Sequence, residues 1–266
     1  MQVIAVQLDI AWEDRQANFH KVRALLNRHT IRPGALIVLP EMFSTGFSMN
    51  ADAVVEPSGG QAETFLSDLA VELDATVLGG VATPGPGGRG RNEAVAFGPT
   101  GQVIARYTKL HPFSFAGEMR HYAPGERLVT FRWGDFTVAP FICYDLRFPE
   151  AFRLAVCRGA NLFAVIANWP RPRHDHWTAL ARARAIENQA CVVAVNRCGS
   201  EPPGVSPGNG YAGGSLVIGP RGETLAEADE SECLLRAEPD AESLVEYRRQ
   251  FPALKDMRED LLPPSA

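Results

Sequence analysis

Three residue types that together can hydrolyse an amide stand far apart in this chain: a carboxylate, Glu41, an amine, Lys109, and a thiol, Cys143. Each follows the end of a run that reads as a strand, ALIVLP before Glu41, VIARY before Lys109 and the buried-looking FTVAPFI before Cys143. If those strands lie parallel and adjacent, the three side chains meet at one edge of the sheet, where open α/β folds hold their ligands. A carboxylate shielded from water can take the thiol proton, and the thiolate can then attack a carbonyl carbon. The ammonium, with the backbone N–H of Tyr144, can hold the oxyanion that forms. The carboxylate next returns its proton to a departing amine and activates the water that cleaves the thioester. Taken singly, the residues also have plainer readings: Cys143 as one more small buried hydrophobe, Glu41 as an exposed loop residue. No histidine stands equally well placed as a base, which weighs against a thiolate–imidazolium pair.

The elements that must position these groups alternate between strand and helix. Val3 to Gln7 reads as a strand, and Asn18 to Leu26 places Phe19, Val22, Leu25 and Leu26 at helical spacing. Glu63 to Leu73 repeats that spacing with Phe65, Leu66 and Leu69, and leads into the strand TVLGGVA. The glycine-rich PGPGGRGRN is read as a loop between strands rather than a phosphate cradle, because a strand from Glu93 to Phe97 follows it and not a helix. Val103 to Tyr107 then pairs back across the turn Gly98 to Gly101. After Cys143, Pro149 suits a first helical position and opens an amphipathic stretch from Glu150 to Cys157. The pattern recurs with the strand NLFAVIAN, a polar loop WPRPRHDH, a helix from Trp177 to Gln189 and the strand CVVAVN. A long loop from Arg197 to Gly214, a hairpin turning at Gly219 to Gly222, a strand from Glu232 to Ala237 and a helix from Asp240 to Arg249 complete the chain, with a tail from about 251. This indicates one α/β domain over residues 1–266, with mixed sheets in two similar halves that stack with helices outside.

The connector from Lys109 to Glu126 has no periodicity and is long for a loop. It gathers His111, Glu118, Arg120 and His121 among aromatic residues that include Phe115, a mixture suited to a pocket wall. His174 and His176 flank Asp175, but no third and fourth ligand follow at a suitable spacing, so no metal is expected. The 266 residues carry a net charge of −5 with scattered arginines, which argues against a nucleic-acid partner. No apolar run reaches the roughly 20 residues a membrane span needs, no leader is recognisable, and five irregularly spaced cysteines do not form a disulfide framework. The expectation is a cytoplasmic protein with no membrane partner.

The segments LPEMFSTGF, KLHPF followed by GE, FICYDLRFPE, and NWPRPR followed by HWTALARARAIENQ resemble the signatures of the nitrilase superfamily of carbon–nitrogen hydrolases. They are most similar to the bacterial omega-amidase branch, related to Nit proteins. The resemblance runs from about residue 2 to 250. It implies a four-layer α-β-β-α sandwich, no cofactor, catalysis by Glu41, Lys109 and Cys143, and Glu118 as a second glutamate that orients the lysine and the substrate amide. The reaction implied is hydrolysis of the terminal amide of 2-oxoglutaramate or 2-oxosuccinamate to ammonia and a 2-oxo dicarboxylate. Other small amides (deaminated glutathione, an N-carbamoyl compound) and a non-catalytic ligand-binding role are the alternatives. Arg147 is the candidate partner for a substrate carboxylate, with a salt bridge to Asp145 or Glu150 as its plainer reading. Asn168 and Trp169 match the family's pocket wall, and Phe47, Phe115 and His176 are further candidate substrate-binding residues. Pro112 stands where close relatives are expected to carry a hydrophobic residue. A homodimer is expected, through the helix that starts at Pro149 and the helix from Trp177 to Gln189.

Overall fold

Period-two alternation along the first strand decides how the layers stack. In β1 (Val3–Gln7), Ile4 and Val6 pack under one set of helices, while Val3 and Ala5 face a second sheet. The same division recurs in β2 (Leu36–Val38), with Ile37 on the helix side and Leu36 and Val38 between the sheets. The computed structural model describes residues 1–202 and 210–261. One six-stranded sheet runs β14 (Cys233–Ala237), β1, β2, β3 (Thr76–Pro84), β4 (Gly90–Phe97), β5 (Val103–Thr108). Its helices are α1 (Arg15–Leu26) and α3 (Gln61–Glu72), whose Phe19 and Phe65 rings stack 4.4 Å apart beneath it.

The second six-stranded sheet runs β13 (Thr224–Glu227), β12 (Leu216–Ile218), β9 (Cys191–Asn196), β8 (Leu162–Ala167), β7 (Phe136–Ile142), β6 (Phe131–Trp133). Its outer face is covered by α4 (Pro149–Cys157) and α5 (His174–Asn188). In both sheets three parallel strands carry an antiparallel hairpin on one side and a single antiparallel strand on the other. The molecule is therefore a four-layer α-β-β-α sandwich, and the two sheets share one apolar core. Strand β14 reaches back from the second half to close the first sheet, and α6 (Ala241–Gln250) follows it with Asp240 capping its first turn.

Four expectations need correction. The strands that lead to Glu41, Lys109 and Cys143 are not neighbours at one sheet edge: β2 and β5 belong to the first sheet with β3 and β4 between them, and β7 belongs to the second. Helix α5 starts at His174 rather than Trp177, because a 3-10 turn over Arg171–Arg173 with proline in its first turn runs straight into it. The stretch 197–214 is not all loop, since β10 (Cys198–Gly199) pairs with β11 (Tyr211–Ala212); its residues 203–209 lie outside those described. The segment after 251 is not a plain tail over its described part, which turns twice and puts Met257 Sδ 3.3 Å from an Arg153 nitrogen. The short elements β6 and α2 (Ala51–Val54) were not expected, being too brief for any periodicity to register.

Phe141 lies where the second sheet meets α4 and the first sheet. Its ring stacks on Phe152 of α4 at 3.9 Å and meets Tyr107 of β5 edge-on at 5.9 Å. Phe141→Ala should cost about 3–5 kcal/mol of unfolding free energy, read from the shift in denaturant midpoint; a loss under about 1 kcal/mol would show that this contact does not hold the layers together.

Candidate active site

The chain enters the site from both sheets. Glu41 follows β2 after Leu39 and Pro40, and Met42 takes a left-handed φ of 44° that turns the chain away again. This turn lies against β3, where Gly80 N–H donates to the Pro40 carbonyl at 3.1 Å and Phe43 N–H donates to the Gly80 carbonyl at 3.2 Å. A Cβ on Gly80 would fall 2.4 Å from the Met42 nitrogen and 2.5 Å from Glu41 Cα, so only glycine admits that approach. Lys109 follows β5, and its N–H donates to the carbonyl of Asn92 on β4 at 2.9 Å.

The thiol stands on a strained elbow. Cys143 follows β7 with φ of 47°, a conformation that costs a non-glycine residue about 1–2 kcal/mol. What holds it there is Asp145, fully buried, whose carboxylate accepts from Ile142 N–H at 2.9 Å, the Tyr107 hydroxyl at 2.8 Å and His111 N–H at 3.0 Å. From the helix side, Arg184 of α5 donates to the Leu146 carbonyl at 2.8 Å. Asp145 thus ties the elbow of one sheet to the lysine loop of the other.

The central feature is a buried ammonium between two carboxylates. Lys109 Nζ lies 3.0 Å from Glu41 Oε1 and 2.8 Å from Glu118 Oε2, and none of the three side chains is more than 1% exposed. Asn92 Nδ2 bridges the same carboxylates, 2.7 Å from Glu41 Oε1 and 2.9 Å from Glu118 Oε1. The other Glu41 oxygen accepts from Asn168 N–H at 2.8 Å, and that N–H also faces the Cys143 sulfur. Burial alone would drive the Lys109 amine toward its neutral form; Glu118 and Glu41 reverse this and hold it charged, well above its ordinary value. Burial pushes Glu118 up, an effect the Lys109 charge partly offsets. Burial and the Glu41 charge both push the Cys143 thiol well above its usual range, so it rests protonated.

A cavity of about 440 Å³ opens onto Cys143. Of the residues singled out in the sequence, Phe47, Phe115, Tyr144, Arg147, Asn168 and Trp169 line it along with the cysteine, while Glu41, Lys109 and Glu118 lie behind its floor. The Phe47 ring sits 5.0 Å from Lys109 Nζ. Phe115 is on the rim, 81% exposed. Tyr144 is the second residue of the 3-10 helix Cys143–Arg147, in the first turn, where backbone N–H groups have no acceptor within the helix. Arg147 pairs with neither Asp145 nor Glu150; its guanidinium lies 4.8 Å from the Trp169 ring centre. His176 stands behind Arg147, its Nδ1 3.2 Å from the guanidinium, and not on the cavity wall. Pro112 is buried within the lysine loop.

Sequence reasoning missed Asn92, Gly80 and the bracing role of Asp145, as well as Arg173, Glu201 and Tyr211 on the cavity wall. Asn92, between Arg91 and Glu93 in the polar first half of β4, carried no local signal of its role.

The chain and its fold have counterparts among known proteins. The model of the carbon–nitrogen hydrolase family matches residues 2–249. The chain is 37% identical over 263 residues to the omega-amidase YafV of Yersinia enterocolitica, covering 98% of each. It is 33% identical over 260 residues to the 2-oxoglutaramate amidase of Bacillus subtilis, covering 97% of this chain and 98% of that one. The structure superposes with a TM-score of 0.88 on a CN-hydrolase superfamily protein of Xanthomonas campestris that carries an arsenic adduct in its active site, at 33% identity and 97% of each chain.

Because the Gly80 position has no room for a Cβ beside the Glu41 backbone, Gly80→Ala should displace that carboxylate. The expected outcome is ammonia release from an amide at least about tenfold slower, with the circular dichroism spectrum kept. An unchanged rate would show that the close approach at Gly80 does not govern the position of Glu41.

Proposed function

The chain belongs to the carbon–nitrogen hydrolase family, and from that premise we propose that it is a cysteine-dependent amidase acting on the terminal amide of a small 2-oxo acid amide, 2-oxoglutaramate or 2-oxosuccinamate. The observation that carries this reading is the buried Glu41–Lys109–Glu118 cluster behind a cysteine whose cavity is lined by an arginine without an ion pair among the described residues. The omega-amidase and 2-oxoglutaramate amidase names of the relatives support the substrate class.

In the proposed cycle, Glu41 takes the Cys143 proton as sulfur attacks the amide carbon. The carbonyl oxygen becomes an oxyanion held by the Lys109 ammonium and the Tyr144 N–H. Glu41 passes the proton to the amide nitrogen, the C–N bond breaks, and ammonia leaves a thioester on Cys143. A water then gives its proton to Glu41 and attacks the thioester carbon, and the proton returns to sulfur as the carboxylic acid departs. Glu118 keeps Lys109 directed at the oxyanion, with Asn92 fixing the spacing of the two carboxylates. Arg147 receives the carboxylate at the far end of the substrate, and Trp169, Phe47, Phe115 and Asn168 shape the walls. The cycle draws on the chain's own groups and a water, and needs no cofactor.

The same proposal extends to a single catalytic domain that works in the cytoplasm, consistent with five free thiols. It pairs as a homodimer through the outer surfaces of α4 and α5, where Ile186 is 48% exposed.

Cys143→Ala should abolish ammonia release from 2-oxoglutaramate without unfolding the protein, and Glu41→Gln should lose both acylation and deacylation. A panel adding 2-oxosuccinamate, glutamine, asparagine, an N-carbamoyl compound and a nitrile sets the class; near wild-type turnover in Cys143→Ala would refute the mechanism.

Because the resting thiol is protonated, its reactivity depends on Glu41 as base. Iodoacetamide near neutral pH should modify Cys143 ahead of Cys191 and Cys198, both pushed up to about 12 by burial. Glu41→Gln should slow that labelling at least about tenfold, with the rate recovering only as alkaline pH ionises the thiol. Peptide mass spectrometry reads the site, and equal labelling in the two proteins would remove Glu41 as the base.

A further inference from the structure

Two guanidinium groups face the cavity, and the proposed function uses only one of them. Arg173 lines the same space as Arg147 and Cys143. Its guanidinium lies 5.5 Å from the centre of the Phe113 ring and 6.0 Å from that of Phe115. Among the described residues neither Arg147 nor Arg173 forms an ion pair. Aromatic faces hold both groups in place without neutralising them. The contrast with Arg171, two residues earlier, is direct. Arg171 is committed to Glu230 through two hydrogen bonds of 2.6 and 2.8 Å, on the exposed side of the same loop.

A single indole joins the two arginines. Arg147 lies over the Trp169 ring, and Trp169 Nε1 donates to the Arg173 carbonyl at 2.7 Å, fixing the segment that carries the second guanidinium. Glu201 is the one acidic side chain among the described residues of the cavity wall, and its charge is met elsewhere. Its carboxylate accepts from the Tyr211 hydroxyl and lies 3.9 Å from the buried Arg197. The front of the cavity therefore presents two positive charges with no protein counter-charge, a configuration completed by an anion with several acceptor oxygens.

We infer that Arg173 is a specificity-determining residue that grips the 2-oxo-carboxylate end of the substrate together with Arg147. The inference rests on the proposed function, since it assigns the other end of the same substrate. A 2-oxo acid offers a carboxylate and an adjacent keto oxygen, enough acceptors to engage two forks at once, whereas an uncharged amide offers neither arginine a partner. Arg173 touches the non-reacting end, so its loss should weaken binding more than it slows chemistry.

The test is steady-state ammonia release from 2-oxoglutaramate and from butyramide by wild type, Arg147→Gln, Arg173→Gln and Arg173→Lys, with circular dichroism confirming that each folds. Arg173→Gln should raise KM for 2-oxoglutaramate and lower the ratio of kcat/KM for 2-oxoglutaramate over butyramide by about tenfold, the loss expected for one charged hydrogen-bonding partner. Arg173→Lys should restore part of it. Inhibition of butyramide hydrolysis by 2-oxoglutarate should weaken in parallel. An unchanged ratio in Arg173→Gln beside a lowered one in Arg147→Gln would overturn the inference and leave the proposed function standing. Equal losses on both substrates would make Arg173 a wall residue and also overturn it. A wild type that cleaves butyramide but not 2-oxoglutaramate would overturn the proposed function itself, and the inference with it.

Discussion

An ammonium sealed between two carboxylates is expensive, and the fold is arranged around that expense. Withdrawing an ion from water into a protein interior costs several kcal/mol, and mutual attraction repays this only when geometry is good and the remaining polar atoms are bonded. Lys109, Glu41 and Glu118 meet those terms through Asn92 and the Asn168 amide, which occupy lone pairs that the lysine leaves free. A hydrophobic trio of the same volume would hold the sheets together at no such cost, so stability does not account for the cluster. Reactivity does. Glu118 and Glu41 hold Lys109 charged against the penalty of burial, and burial together with the Glu41 charge keeps the neighbouring thiol protonated.

Holding that cluster to the thiol requires coupling between two separately built sheets. Glu41, Lys109 and Asn92 come from the first sheet and Cys143 from the second, so a shift of one layer against the other would separate the Glu41 carboxylate from the Cys143 thiol. Asp145 opposes such a shift. Its carboxylate joins the elbow after β7 to Tyr107 on β5 and to His111 two residues past the lysine, so the groups on the two sides move together. The left-handed backbone at Cys143 and at Met42 fits the same logic, since both turn the chain abruptly after a strand and leave the preceding or turning side chain at the strand's mouth.

What was legible in the sequence follows from which features are local. Strand ends, the Pro149 helix start, the Gly219 to Gly222 turn and the alternation of apolar runs depend on neighbours within a few residues, and each is found close to where its local signal lies. The three reactive residue types were legible because each terminates such a run. Their meeting across two sheets was not, because sheet partnership depends on contacts far apart in the chain, and a shared position after a strand does not say which sheet the strand joins. Asn92 was hidden for a related reason. It stands at the boundary between a glycine-rich loop and an apolar strand, and nothing local distinguishes a buried bridging amide from a turn residue. The start of α5 was obscured by two prolines in the loop that precedes it, which here shape a 3-10 turn that passes directly into the helix.

The charges of the site also impose a direction on whatever enters it. Behind Cys143 the cluster is net negative when its three groups are ionised; in front, Arg147 and Arg173 present positive charge to the cavity while Glu201 is answered by Tyr211 and Arg197. Under the proposed function, an anionic substrate is therefore drawn into the cavity with its carboxylate held at the arginines and its neutral amide, the end that a carboxylate cluster does not repel, turned toward sulfur. Hydrolysis then converts that amide into a second carboxylate beside Glu41 and Glu118. In that reading, the like charge formed at the buried end raises the energy of bound product relative to bound substrate, so the same polarity that orients the reactant also expels the acid it becomes.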